Sequence, residues 1–146
     1  AAVRWVLGGD AAVAAEPPAW WGRYPWRDGD VGLKLTATLS RVPLLLATAR
    51  DWQRAALTVR GSAGTGVLYA GLPGATEPAL AARIVADLRA VAARAGGHAI
   101  VLTAPPAIRD AVDLWGPVDG LDLMRRVKAQ FDPDARFAPG RFVGGI

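Results

Sequence analysis

The stretch VGLKLTATL, residues 31–39, decides the fold. Leu33, Leu35, Ala37 and Leu39 fall on one side of it, and Lys34, Thr36 and Thr38 on the other. A period of two is the signature of a β-strand buried on one face. Downstream, SRVPLLLATARDW (residues 40–52) predicts a helix, with Ser40 as N-cap and Pro43 tolerated in the first turn. AALTVRG (55–61) and GVLYAGL (66–72) predict two more strands, joined into a hairpin through SAGTG.

The clearest helix is TEPALAARIVADLRAVAARAGG, residues 76–97. Thr76 is placed to cap it, Glu77 stands at its positive end, and Pro78 lies in the first turn. Leu80, Ile84, Leu88, Val91 and Ala95 make one apolar stripe, and Gly96-Gly97 supplies a C-terminal stop. HAIVLTA (98–104) predicts a fourth strand, AIRDAVDLWG (107–116) a short helix, and GLDLMRRVKAQF (120–131) a last helix burying Leu121, Met124, Val127 and Phe131. Asp132-Pro133 stops that helix. The order strand, helix, strand, strand, helix, strand predicts an α+β, ferredoxin-like βαββαβ sheet, antiparallel, with the first and third strands central and both helices on one face. The expected organisation is an aromatic and Pro-rich segment over residues 1–30, a core over 31–104, and C-terminal helices with a tail over 105–146. A short strand is expected at Val3–Leu7. Trp20, Trp21, Tyr24 and Trp26, set among prolines, are costly to leave in water; they either cover an edge of the core or meet another domain.

The composition narrows the chemistry. The chain has 146 residues, no Cys, one His and a formal charge of +4. Without Cys there is no disulfide, thiolate nucleophile or iron–sulfur ligation, and with one His no metal site is expected. The basic residues are almost all Arg, scattered and interleaved with acids, which favours solvated helix faces over a nucleic-acid track. No run is long and apolar enough to span a bilayer. Gly61, Gly64 and Gly66 link two strands, so they make a turn and not a dinucleotide fingerprint, which needs a helix after the glycines. His98 has no evident partner and reads as a polar residue satisfied by local backbone. On the strand faces turned away from the helices, Lys34 and Arg60 are the candidates for binding a substrate carboxylate. Pro139-Gly140 permits a tight turn, followed by Arg141, whose planar fork suits carboxylate or phosphate oxygens.

LMRRVKAQFDPDARFAPGRFVGG (123–145) resembles the C-terminal signature of FAD-linked oxidases of the vanillyl-alcohol-oxidase type, where a helix runs into Phe-Asp-Pro and the chain closes on a variant of Asn-Pro-Gly-Arg or Asn-Pro-Gly-Lys. The Trp-Trp segment, LKLTATLSRVP and GGHAIVLTAPPAIRDAVDLWGP are similar to the C-terminal half of the FAD-binding (E-type) subunits of bacterial glycolate oxidases. The resemblance covers most of the chain and implies a cap domain on the substrate side of an FAD-dependent 2-hydroxy-acid oxidoreductase, inactive as a fragment. FAD is then held mainly by a domain of the parent chain absent here, and Pro139, Gly140 and Arg141 return to the cofactor. It implies a sister flavin subunit and an iron–sulfur subunit as partners. It also implies a cytoplasmic location, peripheral to the inner membrane through that complex. The chain departs from the family pattern at Ala138, where the family often has Asn. The other reading is a non-catalytic module that assembles the same kind of complex. A ferredoxin-like RNA binder is disfavoured, because Tyr69 is the lone aromatic on the strands.

Overall fold

The structure, a computed structural model, describes residues 15–146; the strand expected at Val3–Leu7 lies outside them. Four strands, β1 (Val31–Thr36), β2 (Thr58–Ser62), β3 (Val67–Leu72) and β4 (Ala99–Thr103), form one antiparallel sheet in the order β2-β3-β1-β4. Helices α1 (Val42–Asp51) and α2 (Pro78–Arg94) complete an α+β sandwich of the ferredoxin-like βαββαβ type. A single helical turn, α3 (Pro106–Arg109), and the last helix, α4 (Leu121–Phe131), follow. No helix of the described residues is long and apolar enough to cross a membrane.

The core is the alternation of β1 made physical. Val31, Leu33 and Leu35 are buried, opposite Leu72, Ala70 and Leu68 of β3 in the β1–β3 register. Ile84, Val85, Leu88, Val91 and Ala92 of α2 pack on them, together with Val42, Leu45 and Ala49 of α1. Full burial of each large side chain contributes about 1.5–3 kcal/mol, so this layer dominates the stability.

Several ends differ from expectation. β1 stops at Thr36, because Ala37 donates to the Gly66 carbonyl (3.0 Å) and Thr38 to the Ala95 carbonyl (3.0 Å); Leu39 is left exposed. Ser40 does not cap α1: a 3-10 turn over Leu39–Arg41 leads in, with no side-chain cap. β2 begins only at Thr58, because Ala56 turns left-handed (φ 57°) to close the preceding 3-10 turn. The cap of α2 is Glu77, not Thr76. Its carboxylate accepts from the amides of Ala79 (3.0 Å) and Leu80 (2.8 Å), while the Thr76 hydroxyl donates to the Pro73 carbonyl. These two bonds hold the Glu77 carboxyl below its ordinary pKa.

The helix expected over residues 107–116 is only the α3 turn. The Asp113 carboxylate takes the amides of Trp115 and Gly116 (3.0 Å each), and the Leu114 carbonyl takes the Val101 amide (2.8 Å). That segment runs along the edge of β4 instead. Half-buried Arg89 of α2 pins it, donating to the carbonyls of Ala99 (3.1 Å) and Asp113; burial pushes its guanidinium below its ordinary pKa.

Candidate functional site

The sheet face away from the helices carries Arg60 on β2, Tyr69 on β3, Lys34 on β1 and Ile100 on β4, in one cross-strand row. The two cations expected on this face are therefore on it. They are two strand spacings apart, about 10 Å between backbones, with Tyr69 between them.

This face is partly covered. Residues 24–26 lie across it as an aromatic strap. Tyr24 and Trp26 stack face to face (centroids 4.4 Å, 8°), and Tyr24 meets Tyr69 edge-on at 4.9 Å. Thr58 donates its hydroxyl to the Pro25 carbonyl (2.9 Å), and Asp30 accepts from the amides of Arg27 (2.9 Å) and Gly74 (3.0 Å). The strap needs two glycines that pair across β1 and β3, Gly32 and Gly71. A Cβ on Gly32 would stand 2.5 Å from the Trp26 ring, and one on Gly71 2.4 Å from the Pro25 oxygen. Of the four aromatic rings of this segment only Trp26 is half-buried; Tyr24 lies on the sheet but remains 55% exposed, as do Trp20 and Trp21 at 50% and 68%.

The surroundings of the two cations differ. Arg60 donates a long bond to the Tyr24 carbonyl (3.4 Å) and lies over the Trp20 ring at 5.6 Å. Lys34 is half-buried beside Tyr69 and Ile100 and has no hydrogen-bond or ion-pair partner among the described residues. His98, just before β4, takes the Thr36 amide on its carbonyl (2.8 Å) and donates its own amide to the Thr36 hydroxyl (2.9 Å), leaving its ring exposed without a hydrogen-bond partner among the described residues.

The third candidate group sits elsewhere, on α4 and the tail. The expected burial of α4 is corrected here. None of its residues is buried: Met124, Val127 and Phe131 are 37%, 49% and 81% exposed, and Leu121 is only half-buried, against Gly144. The stripe is there, but the sheet does not reach it. Phe137 and Phe142 of the tail extend the same apolar surface, and a cleft of about 650 Å³ runs between helix and tail, with Lys128 and Arg141 as its cations.

Asp132 builds that cleft. Its buried carboxylate accepts from Lys128 Nζ, the Arg136 amide (2.8 Å) and the Phe137 amide (3.0 Å), and Lys128 also reaches the Phe137 carbonyl (2.7 Å). The Lys128 bond is the main reason its carboxyl is held below the usual range. Sequence reasoning saw only a helix stop at Asp132-Pro133; the hub needs the fold of FDPDARF to be visible. Beyond it, Ala138-Pro139-Gly140-Arg141 closes as a turn of the Pro-then-left-handed-Gly kind, with Gly140 at φ 72° and the Arg141 amide on the Ala138 carbonyl (3.2 Å). No hydrogen bond or aromatic contact among the described residues joins this turn to Lys34 or Arg60.

Among the described residues, two places where backbone amides could cradle a phosphate are largely filled by the protein itself, whereas α1 and α4 begin without a side-chain cap. Glu77 closes the start of α2, and in the β2–β3 hairpin Gly61 and Gly66 are packed on backbone, a Gly66 Cβ falling 2.2 Å from the Ala37 oxygen, while Gly64 faces open space. Among the described residues no group of three His, Asp or Glu gathers as a metal site would require. The chain significantly matches no protein-family model, no curated protein and no solved structure.

Proposed function

We propose that this chain is the cap domain of a glycolate-oxidase-type, FAD-dependent 2-hydroxy-acid oxidoreductase, docked through α4 and its tail on a flavin-binding domain. The observation that carries this reading is the uncovered apolar face formed by Leu123, Val127, Phe131, Phe137 and Phe142. A surface of this kind marks an interface. It stands beside the Pro139-Gly140-Arg141 turn, the group expected to face the cofactor. The chain's residues fit a contact to one edge of a flavin, through Arg141, rather than the cradle of its pyrophosphate. Bound flavin would accept the hydride of the 2-hydroxy acid. On the sheet side, Lys34 has no counter-ion among the described residues and suits the substrate carboxylate; Arg60 spends part of its guanidinium on the strap.

The test is reconstitution. Purified alone, this chain should come off a column colourless after incubation with FAD; mixed with the flavin-binding domain of the parent protein it should co-elute with flavin. Stoichiometric FAD on the isolated chain would overturn the assignment. The same exposed face also favours a second reading, a non-catalytic module that joins the sister flavin and iron–sulfur subunits. Full turnover of the parent enzyme after combined Lys34→Ala and Arg60→Ala would select it.

A further inference from the structure

A second cleft, of about 460 Å³, opens where the strap meets β2. Its walls include Trp20, Trp21, Tyr24 and Tyr69, and its charges are Arg23 and Arg60; among the described residues no carboxylate lines it. The cleft is open to solvent, and its lining is mostly apolar with few polar groups, the mix that small-molecule sites use. Arg60 already stands in the cleft: one N–H reaches the Tyr24 carbonyl at 3.4 Å, and the guanidinium carbon lies 5.6 Å from the Trp20 ring centre. A guanidinium has five N–H donors, so most of the fork remains for a ligand. Two cations without an acid, at exposed rings, define a ligand that is both anionic and ring-bearing.

We propose that this cleft binds an aromatic carboxylate, its ring against the Trp and Tyr faces and its carboxylate on the Arg60 fork, with Arg23 as the second cation. Ring stacking supplies the affinity and the bidentate pair the orientation. The inference concerns Arg60, and rests on the oxidoreductase reading only in the choice of a 2-hydroxy acid as probe.

The experiment is direct titration of the purified chain with 3-phenyllactate, followed by tryptophan fluorescence and calorimetry. Glycolate (no ring), 3-phenylpropanol (no charge) and a single-stranded oligonucleotide are the comparison arms. Phenyllactate is expected to bind at least about tenfold more tightly than glycolate or the alcohol, because each lacks one half of the recognition. Arg60→Gln should remove that preference. Because Arg60 also holds the strap, two further variants keep the test sharp. Arg23→Gln and Trp21→Ala, whose side chains make no hydrogen bond among the described residues, should each weaken phenyllactate several-fold while leaving the melting temperature unchanged. Equal binding of phenyllactate and glycolate, or wild-type affinity in both variants, overturns the proposal. So does an oligonucleotide that displaces phenyllactate with a steep salt dependence, which would reassign the rings and arginines to nucleic acid. The readout needs neither flavin nor turnover. An inactive parent protein would count against the oxidoreductase reading and leave this one standing.

Discussion

At the scale of single residues, Asp132 carries more structure than its place after a helix suggests. Its folded pKa is lowered, first by Lys128 and then by the Phe137 and Arg136 amides. A depressed carboxylate contributes stability that is fully present above its unfolded value, about pH 3.9, and is lost as pH falls through the lower folded value. Amide exchange at Arg136 and Phe137, taken relative to the intrinsic rate at each pH, should therefore stay slow from neutral pH down to about pH 4 and accelerate below it. Asp132→Ala should make it fast at every pH while the sheet amides keep their protection. A second residue, Ala138, sits left-handed at φ 43°, a region that costs an L-residue with a Cβ about 1–2 kcal/mol and that Asn enters more easily. Ala138→Asn is expected to raise stability by up to about 1 kcal/mol, read as a higher denaturation midpoint; no gain would mean that the turn is not held as described.

At the scale of elements, the strap and α4 show how one pattern leads to two outcomes. Gly32 and Gly71 are a matched pair under Pro25 and Trp26, and nothing in the alternation of β1 or β3 announces it. Gly71→Ala should cost about 1–3 kcal/mol, because the added Cβ meets a backbone oxygen that cannot rotate away. The change in tryptophan fluorescence should follow the unfolding of the strap before that of the sheet. In α4 the stripe Met124, Val127, Phe131 has helical spacing and yet faces outward. Val127→Asp is accordingly expected to change folding stability by no more than about 0.5 kcal/mol, as for an exposed position, and, on the proposed docking, to abolish co-elution with a flavin-binding domain. A large loss of stability would show that the face is closed within this chain. The contrast with α2 is instructive: Ile84 and Leu88 have the same spacing, and the sheet lies under them.

At the scale of the whole molecule, the domain presents two separate surfaces, the strapped sheet face and the α4–tail face. If the first serves substrate and the second docking, their variants should separate kinetically. In the assembled parent enzyme Lys34→Ala should raise KM for the 2-hydroxy acid with flavin content unchanged, whereas Val127→Asp should lower flavin-loaded complex without altering the KM of what remains. The helix-packed face, the antiparallel order and the place of Lys34 and Arg60 opposite it were legible in the sequence, because period-two and period-3.6 patterns are local and β1, β3 and α2 carry them cleanly. The ends of β1, α1 and α2 were not. Those ends are set by partners distant in sequence, such as Ala95 for Thr38, or by a choice between neighbouring caps, as with Thr76 and Glu77. By itself, then, the chain's order of residues determined which segments are strands and helices and which side of each is apolar. Only the tertiary structure decided which apolar sides find a cover: α2 does, α4 does not, and the second face of the sheet is half closed by Tyr24 and Trp26. Periodicity is a property of neighbours along the chain, whereas burial depends on what the fold places opposite.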